Sequence, residues 1–302
     1  MNDMNEEQIK IAHEAEKFEH NQDWTRAADC WNDLSEQVDD PQITFKAART
    51  LYLAKRFQEA YHAVLHFPDS AIDVHNGLLI INIYLAVNHY ISGRMIINQL
   101  PATIRPQAKT LVKNAETEYR QKFHLTIHNQ LRTFYHLGDC SLAEQQQRLA
   151  SADQLPLPDF MVGCQFLLRD PFTNPFVRSE LLNILQQLRW EREVVMLTID
   201  DEEHHIVPAN CPSAYQATAI KQCRNIIERQ FTNTNPQLLK TLSQQLDLQA
   251  ILLVPIANQI IQQPDKWVQV LKSLMLGEPM PTNSAGEQQW QRKINQIIEK
   301  IN

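Results

Sequence analysis

The densest group of potential metal-binding side chains in the sequence is the run Asp-Asp-Glu-Glu-His-His at residues 200–205. Carboxylate and imidazole groups bind zinc and other divalent metals. Neighbouring residues on a strand point to opposite faces, so at most one of the two histidines can join a given carboxylate on one side. We therefore interpret the run as a solvated hairpin turn, and we predict no metal site.

Two histidine pairs have the i, i+4 spacing that places both rings on one helix face. They are His62 with His66 and His124 with His128. Zinc proteases of the H-E-x-x-H type need a glutamate directly after the first histidine, and both pairs lack it. No third ligand is apparent, so we interpret these residues as ordinary surface or packing histidines.

The cysteines carry no recognisable chemical signature. They are Cys30, Cys140, Cys164, Cys211 and Cys223. Their odd number, wide spacing and lack of a C-x-x-C pair indicate free thiols in a reducing cytoplasm. A cysteine nucleophile with a histidine partner far away in the chain stays open at this point, although Cys30 beside Trp31 is interpreted as a packing residue.

Composition argues against several classes of function. The 302 residues include 6 glycines, and their spacing leaves no G-x-G-x-x-G loop, P-loop or G-x-S-x-G elbow. We also find no paired-carboxylate or Ser-His-Asp signal, so we predict no enzyme and no cofactor. The net charge is −7, and basic stretches such as residues 189–192 are interrupted by acids, which disfavours nucleic-acid binding.

Targeting and membrane signals are not evident. Residues 1–7 are acidic and polar, whereas a secretory signal needs a positive start and an apolar stretch. The longest apolar runs, 77–87 and 249–261, are too short or too interrupted by polar residues to span a bilayer. We expect a cytoplasmic protein that does not bind membranes, and the sequence does not give its oligomeric state.

An internal repeat of 33 residues organises the first third of the chain. Trp24, Phe57 and Tyr90 recur at this interval. Five further columns keep the register: Ala15/Ala48/Ile81, Phe18/Leu51/Tyr84, Ala27/Ala60/Gly93, Trp31/Val64/Ile97 and Leu34/Phe67/Leu100. Each unit has two apolar stripes at helical spacing separated by a polar stretch, which predicts a helical hairpin. One hairpin cannot bury its apolar face alone, so neighbouring hairpins must stack.

This pattern resembles the tetratricopeptide repeat (TPR) family, whose repeat is about 34 residues long. The resemblance covers residues 8–101 and implies a right-handed α-solenoid of helical hairpins. Two departures concern the family's leucine-glycine pair, which is replaced, and its closing proline, which is only approximate. The positions are 14–15, 47–48 and 80–81 for the pair, and Pro41, Pro68 and Pro101 for the proline.

The resemblance also implies a binding surface, because the first helix of each TPR hairpin lines a concave groove. The positions carried over are Ala12, Glu16, Glu19, Gln42, Phe45, Arg49, Tyr52, His75, Leu78 and Asn82. The Lys/Asn/Arg clamp with which some members grip a C-terminal carboxylate is missing, since Ala12, Glu16 and Leu79 occupy its positions. This mixture suits an extended or helical peptide, unless the chain's own later helices cover the face.

The rest of the sequence predicts more helices and one β-hairpin, so the fold is mostly α. We expect TPR-like repeats over 1–103, divergent helical pairs that continue the solenoid over 104–192, and a C-terminal region over 193–302. In that last region the strands at 194–199 and 204–208 form the hairpin. Separate helices are expected near 236–246 and 248–261. The apolar Trp290 face of the last helix either docks on the chain or binds a partner.

These patterns favour binding over catalysis. We predict a non-enzymatic adaptor or scaffold that binds a peptide or protein segment in a TPR-like groove. One alternative is a peptide-responsive regulator with a cavity for a short peptide. Another is an enzyme whose site lies in 193–302, which convergent polar residues with shifted pKa values would support.

Overall fold

The computed structural model describes residues 4–138 and 140–300, and over these residues the chain is mostly helical. The described part contains sixteen α-helices and one two-stranded antiparallel sheet. This confirms a mostly α fold with one β-hairpin. Residues 1–3 of the acidic, polar N-terminal stretch lie outside the described residues, as do Asp139 and Ile301.

Two compact units make up the chain. Unit 1 comprises Met1–Leu131 with Ser151–Phe160, and unit 2 comprises Arg132–Ala150 with Met161–Asn302. The boundaries expected after residues 103 and 192 fall within these units. The division into three regions expected from the sequence stays a prediction.

The first six helices of unit 1 form three helical hairpins. They are α1 (Glu6–His20), α2 (Trp24–Gln37), α3 (Pro41–Leu53), α4 (Phe57–Leu65), α5 (Gly77–Ala86) and α6 (Tyr90–Ile97). Helix α7 (Arg105–Lys122) follows, and each helix from α1 to α7 packs on the next. Polar caps start several of them: Asn5 forms a capping box at α1, and Asp40 accepts a hydrogen bond from the Gln42 N–H at α3.

The 33-residue period is present in the backbone of the hairpin turns. Gln22, Lys55 and Asn88 have φ angles of 58°, 62° and 62°. The residue after each of them donates its N–H to the carbonyl five residues earlier, over 2.9 Å in all three turns. This left-handed turn satisfies carbonyls at the end of the first helix of each pair. The same turn therefore reverses the chain three times at a constant interval.

The repeat columns correspond to buried positions. Ala15, Ala48 and Ile81 have no exposed surface, and the same holds for Ala27 and Ala60. Alanine at a helix contact lets two helices approach closely, and β-carbon contacts then fill the space between them. The sequence periodicity thus marks where consecutive helices meet.

Two buried or half-buried acids hold a returning segment, residues 151–160, on unit 1. Asp153 accepts hydrogen bonds from His89 Nδ1 and from the Ser92 N–H at the start of α6. Glu116 on α7 receives both arms of Arg94 at 2.7 and 2.5 Å and accepts the Leu157 N–H at 3.1 Å. Charge-assisted pairs of this geometry fix the path of a segment that lacks its own core.

The remaining elements are nine helices and the hairpin. They are α8 (His124–Tyr135), α9 (Leu142–Ser151), α10 (Leu157–Leu167), α11 (Pro175–Gln187), β1 (Val194–Leu197), β2 (Glu203–Ile206), α12 (Thr218–Phe231), α13 (Pro236–Leu253), α14 (Ala257–Ile260), α15 (Pro264–Leu276) and α16 (Ala285–Glu299). The predicted helices near 236–246 and 248–261 are instead the continuous α13 followed by the short α14.

The core of unit 2 surrounds Trp267, which is fully buried. Its indole N–H donates to Gln249 Oε1 at 2.8 Å, and Gln291 Nε2 donates to the Trp267 carbonyl at 2.8 Å. Ile294 is also fully buried, and Trp290 packs against the same cluster. The apolar face of α16 therefore docks on the helices of its own unit. None of the described helices combines the length and the apolar composition that crossing a bilayer requires.

Candidate functional site

An open groove of about 610 Å³ lies along α3 in unit 1. The side chains of Gln42, Phe45, Lys46 and Arg49 follow one another at i, i+3, i+4 and i+7, so they share one face of α3 and form a wall. Helix α1 adds Glu19, and the segment that leads into α5 forms the other side. All lining residues come from 19–76, so the helices of unit 1 after α5 leave this groove open.

Five of the ten positions that the TPR resemblance places in the groove line this cavity. They are Glu19, Gln42, Phe45, Arg49 and His75. The structure thus brings together one residue of α1, three of α3 and one from the segment before α5. These three places are distant in sequence, and the hairpin turns place them around one space.

The other five positions do not line the groove, and Ala12 among them is buried in the cluster that contains Trp31. Glu16 lies beside it and pairs with Lys46, while the Tyr52 ring packs on Phe57 with the centroids 5.5 Å apart. Leu78 packs on an apolar cluster of unit 1, and Asn82 is half-buried on α5. Their assignment to the ligand-binding face stays a prediction.

The length of the α4–α5 linker explains why the two predicted positions on α5, Leu78 and Asn82, do not line this cavity. Only residues 38–40 connect α2 to α3, whereas residues 66–76 connect α4 to α5 and include a short 3-10 turn over Asp69–Ala71. The longer linker itself forms the wall of the groove that faces α3. The inward positions on the third hairpin were carried over at a constant interval of 33 residues.

The floor of the groove is aromatic and rests on the core. The rings of Phe45 and Phe67 lie 6.2 Å apart at an angle of 53°. Phe67 is buried, Phe45 is half-buried, and both pack on the cluster that contains Leu51 and Ile80. The pair therefore presents a fixed apolar surface, with part of Phe45 accessible from the groove.

Ion pairs join the α1 and α3 sides of the groove. Lys46 Nζ lies 3.1 Å from Glu16 Oε1 and 4.2 Å from the centre of the Trp31 ring. Arg49 pairs through Nη2 with Glu19, and that carboxylate also accepts the Trp31 indole N–H at 2.6 Å. The two bases of this wall are thus already neutralised. Arg49 Nε is hidden from solvent and has no hydrogen-bond partner.

The carboxylate of Asp73 lies on the opposite side. Its Oδ1 accepts the N–H groups of His75 at 2.7 Å and Asn76 at 3.0 Å. These two backbone donors, and more weakly the nearby His75, hold the pKa of Asp73 below its ordinary value. Asn76 is buried and donates to the Ala71 carbonyl at 2.8 Å, which fixes the loop.

Sequence reasoning missed several lining residues. Lys46 follows Gln42 by four positions, so the α3 periodicity alone places it on the same face. Phe67 had been assigned to the core, and it serves both the core and the groove floor. For Asp73 the available signal was an Asp-x-x-Asn pattern just before an apolar helix, which is typical of a helix start.

The histidines considered as possible metal ligands lie in several different places, and none of them lines the groove along α3. His62 and His66 are exposed, and His124 and His128 line a second cavity of about 500 Å³ beside an Arg120–Asp159 ion pair of 3.0 Å. On the hairpin, His204 and His205 contact different carboxylates, those of Asp200 and Glu193, each at 2.8 Å. Within the described residues no three His, Cys, Asp or Glu side chains are grouped to hold a metal ion.

The groove along α3 can therefore make apolar contacts, hydrogen bonds and ion pairs with a ligand. Its side chains form fixed walls of opposite character, a paired cationic wall and an acidic loop, above an aromatic floor. A concave, partly apolar cavity with a few placed polar groups has the features that ligand sites commonly share. The chain matches no protein-family model, and comparisons with curated proteins and with solved structures give no match.

Proposed function

We propose that this chain is a non-enzymatic adaptor that binds an extended peptide segment of a partner protein in the groove along α3. The observation that carries the proposal is the groove itself, with a volume of about 610 Å³ and an aromatic floor between polar walls. Ligand sites are typically concave and largely apolar, with a few placed polar groups. The groove has each of these features.

As part of the same proposal, helices α1 to α7 form a TPR-like right-handed solenoid. Support comes from the left-handed turns at Gln22, Lys55 and Asn88, which repeat every 33 residues, and from the contact of each helix with the next. In such a stack the first helix of each pair lies on one side. Helices α1 and α3 are first helices, and both contribute to the groove.

The dimensions of the α3 wall fit a peptide. From Gln42 to Arg49 the helix rises about 10 Å, which corresponds to about three residues of an extended chain. The ion pairs between α1 and α3 and the Asn76 contact hold the walls in place before binding. A preformed groove limits the side-chain entropy lost when a ligand binds.

A peptide-display experiment tests this function. A random-peptide phage library is panned on the full chain, and enriched peptides are titrated by fluorescence anisotropy against wild type, Phe45→Ala and Leu53→Ala. Leu53 is the last residue of α3, is 39% exposed and lies outside the groove lining, so it is a matched control on the same helix. Circular dichroism verifies that each variant is folded.

We expect Phe45→Ala to weaken binding about tenfold, since an aromatic contact contributes about 1.5–3 kcal/mol when fully buried. Leu53→Ala should bind like wild type. Equal affinities for all three proteins would place the binding surface outside the groove. A library without enriched sequences would contradict the peptide-binding function.

A further inference from the structure

We propose that the segment bound in this groove carries a large apolar side chain next to a lysine or arginine. The inference rests on the proposed peptide-binding function and specifies the chemistry of its ligand. Phe45 and Phe67 receive the apolar side chain, and Asp73 receives the basic one. The argument compares the charges on the two sides of the groove.

The α3 wall has little attraction left for a charged ligand. Lys46 is paired with Glu16 and Arg49 with Glu19, and all four side chains belong to unit 1. An acidic ligand would have to compete with both glutamates for these bases. Because the pairs are only partly exposed and pre-positioned, a ligand carboxylate gains little by replacing one of them.

The side of the groove that carries Asp73 differs from the α3 wall in the charge that it offers to a ligand. The Asp73 carboxylate accepts two backbone N–H groups, and the basic side chain that acts on it among the described residues is His75, the weakest of the groups that lower its pKa. The adjacent His75 is exposed and also lines the groove, as does Asp40 at the start of α3. A ligand ammonium or guanidinium group therefore complements this side, and a ligand carboxylate is repelled.

The aromatic floor requires an apolar neighbour for that base. Phe45, on the α3 wall, and Phe67 line the same groove as Asp73 and His75. A peptide that pairs with Asp73 therefore lies next to these rings, and a polar side chain placed against them would be desolvated without a hydrogen-bond partner. An apolar residue adjacent to the base satisfies both surfaces.

Three matched, fluorescein-labelled peptides with Gly-Ser flanks test the inference. Their centres are Leu-Phe-Lys-Arg, Leu-Phe-Glu-Asp and Ser-Ser-Lys-Arg. Each is titrated against the full chain, Asp73→Asn and Asp69→Asn. Asparagine at 73 keeps an oxygen for the two N–H groups. Asp69→Asn makes the same charge change at an exposed residue outside the groove lining.

We expect the apolar-basic peptide to bind wild type at least about tenfold more tightly than the other two. Asp73→Asn should weaken that binding about threefold to tenfold, and the loss should shrink with added salt because screening weakens exposed charge pairs. Asp69→Asn should change the affinity less than about twofold.

Equal binding of the apolar-acidic peptide, or equal effects of Asp73→Asn and Asp69→Asn, would overturn the inference. Failure of all three peptides would overturn it as well. The proposed function is judged separately, by the Phe45→Ala loss with library-selected peptides. It survives if those peptides still need the groove, and it falls with the inference if they do not.

Discussion

Trp31 in unit 1 and Trp267 in unit 2 are both fully buried, and the indole N–H of each needs a hydrogen-bond acceptor inside the protein. The two units provide different acceptors. Each donates its indole N–H to the side chain of another helix, Trp31 to Glu19 at 2.6 Å and Trp267 to Gln249 at 2.8 Å. The acceptor is a carboxylate in the first case and a neutral amide in the second. Through Glu19, the core around Trp31 is connected to the charged wall of the groove. Among the described residues, the core around Trp267 has no such connection to a charged side chain through Gln249.

Solvent access explains the choice of acceptor. The Glu19 side chain is 18% exposed and pairs with Arg49, so its charge stays solvated and compensated. Gln249 has no exposed surface, and a carboxylate there would be desolvated without a cation. The Trp31 site therefore links the repeat core to the groove wall, whereas the Trp267 site only packs helices.

The largest expected effect is the loss of the unit 2 core in Trp267→Ala. Removing a buried tryptophan destabilises a fold by about 3–5 kcal/mol, and here it also removes the hydrogen-bond partner of Gln249. Urea unfolding followed by far-UV circular dichroism measures the change. Leu276→Ala, at an exposed position of the same helix, should stay within about 0.5 kcal/mol of wild type. Similar losses in both variants would contradict a core centred on Trp267.

Exchanging the two acceptor types, with an amide at position 19 and a carboxylate at position 249, tests directly whether the two sites differ in this way. Gln249→Glu should destabilise the protein by about 3 kcal/mol near neutral pH, because it buries an uncompensated charge. Glu19→Gln should lose less than about 1 kcal/mol, since the amide oxygen still accepts the Trp31 N–H and only a partly exposed ion pair is removed.

The pH dependence of Gln249→Glu gives a second test. Burial raises the pKa of the new carboxyl above its unfolded value, so the penalty is absent below the unfolded pKa of about 4.3. It grows as pH rises towards the folded pKa. Urea unfolding at mildly acidic and neutral pH should show this trend. Equal stability losses for the two exchanged variants would remove the distinction between the sites.

The turns of the two units also differ. Unit 2 ends α15 with Gly277 at φ 66°, whereas the repeat turn after α3 places Lys55 at φ 62°. Glycine adopts this conformation without the strain of a β-carbon. Lys55→Gly should therefore stabilise the protein by up to about 1 kcal/mol, and Gly277→Ala should destabilise it by a similar amount.

Thermal unfolding of these two variants compares the turns, and Lys55→Ala serves as the control because alanine keeps the β-carbon. A gain in Lys55→Ala equal to that in Lys55→Gly would attribute the change to loss of the lysine side chain. The backbone explanation would then be wrong.

The smallest effect concerns the acidic side of the groove. We expect Asp73 to titrate below the ordinary aspartate range, because two backbone N–H groups stabilise its ionised form. Its contribution to stability is present above the unfolded pKa and is lost as pH falls through the lower, folded pKa. Carboxyl ¹³C NMR measures this value. An ordinary or raised pKa would mean that the N–H contacts are absent in solution.

Sequence alone predicted the features that follow from local periodicity. The 33-residue period located the hairpins and the buried alanine columns, and three positions implied by the TPR resemblance, Gln42, Phe45 and Arg49, lie on the α3 wall of the groove. Such features depend on residues close together in the chain.

Features that depend on distant contacts were not predicted. Separate helices were expected near 236–246 and 248–261, but α13 continues to Leu253, and Asp247 between the two expected helices pairs with Arg224 of α12. The role of the 66–76 linker as a groove wall depends on its length and packing, and the sequence did not predict it; Leu78 and Asn82 do not line this cavity.

Amide chemical-shift mapping of the full chain with the Leu-Phe-Lys-Arg peptide tests the central claim most directly. We predict saturable shifts at Phe45, Arg49, Asp73 and His75, and none at the second cavity around His124 and His128. Shifts centred on that cavity or on unit 2, with the α3 groove unaffected, would contradict the account.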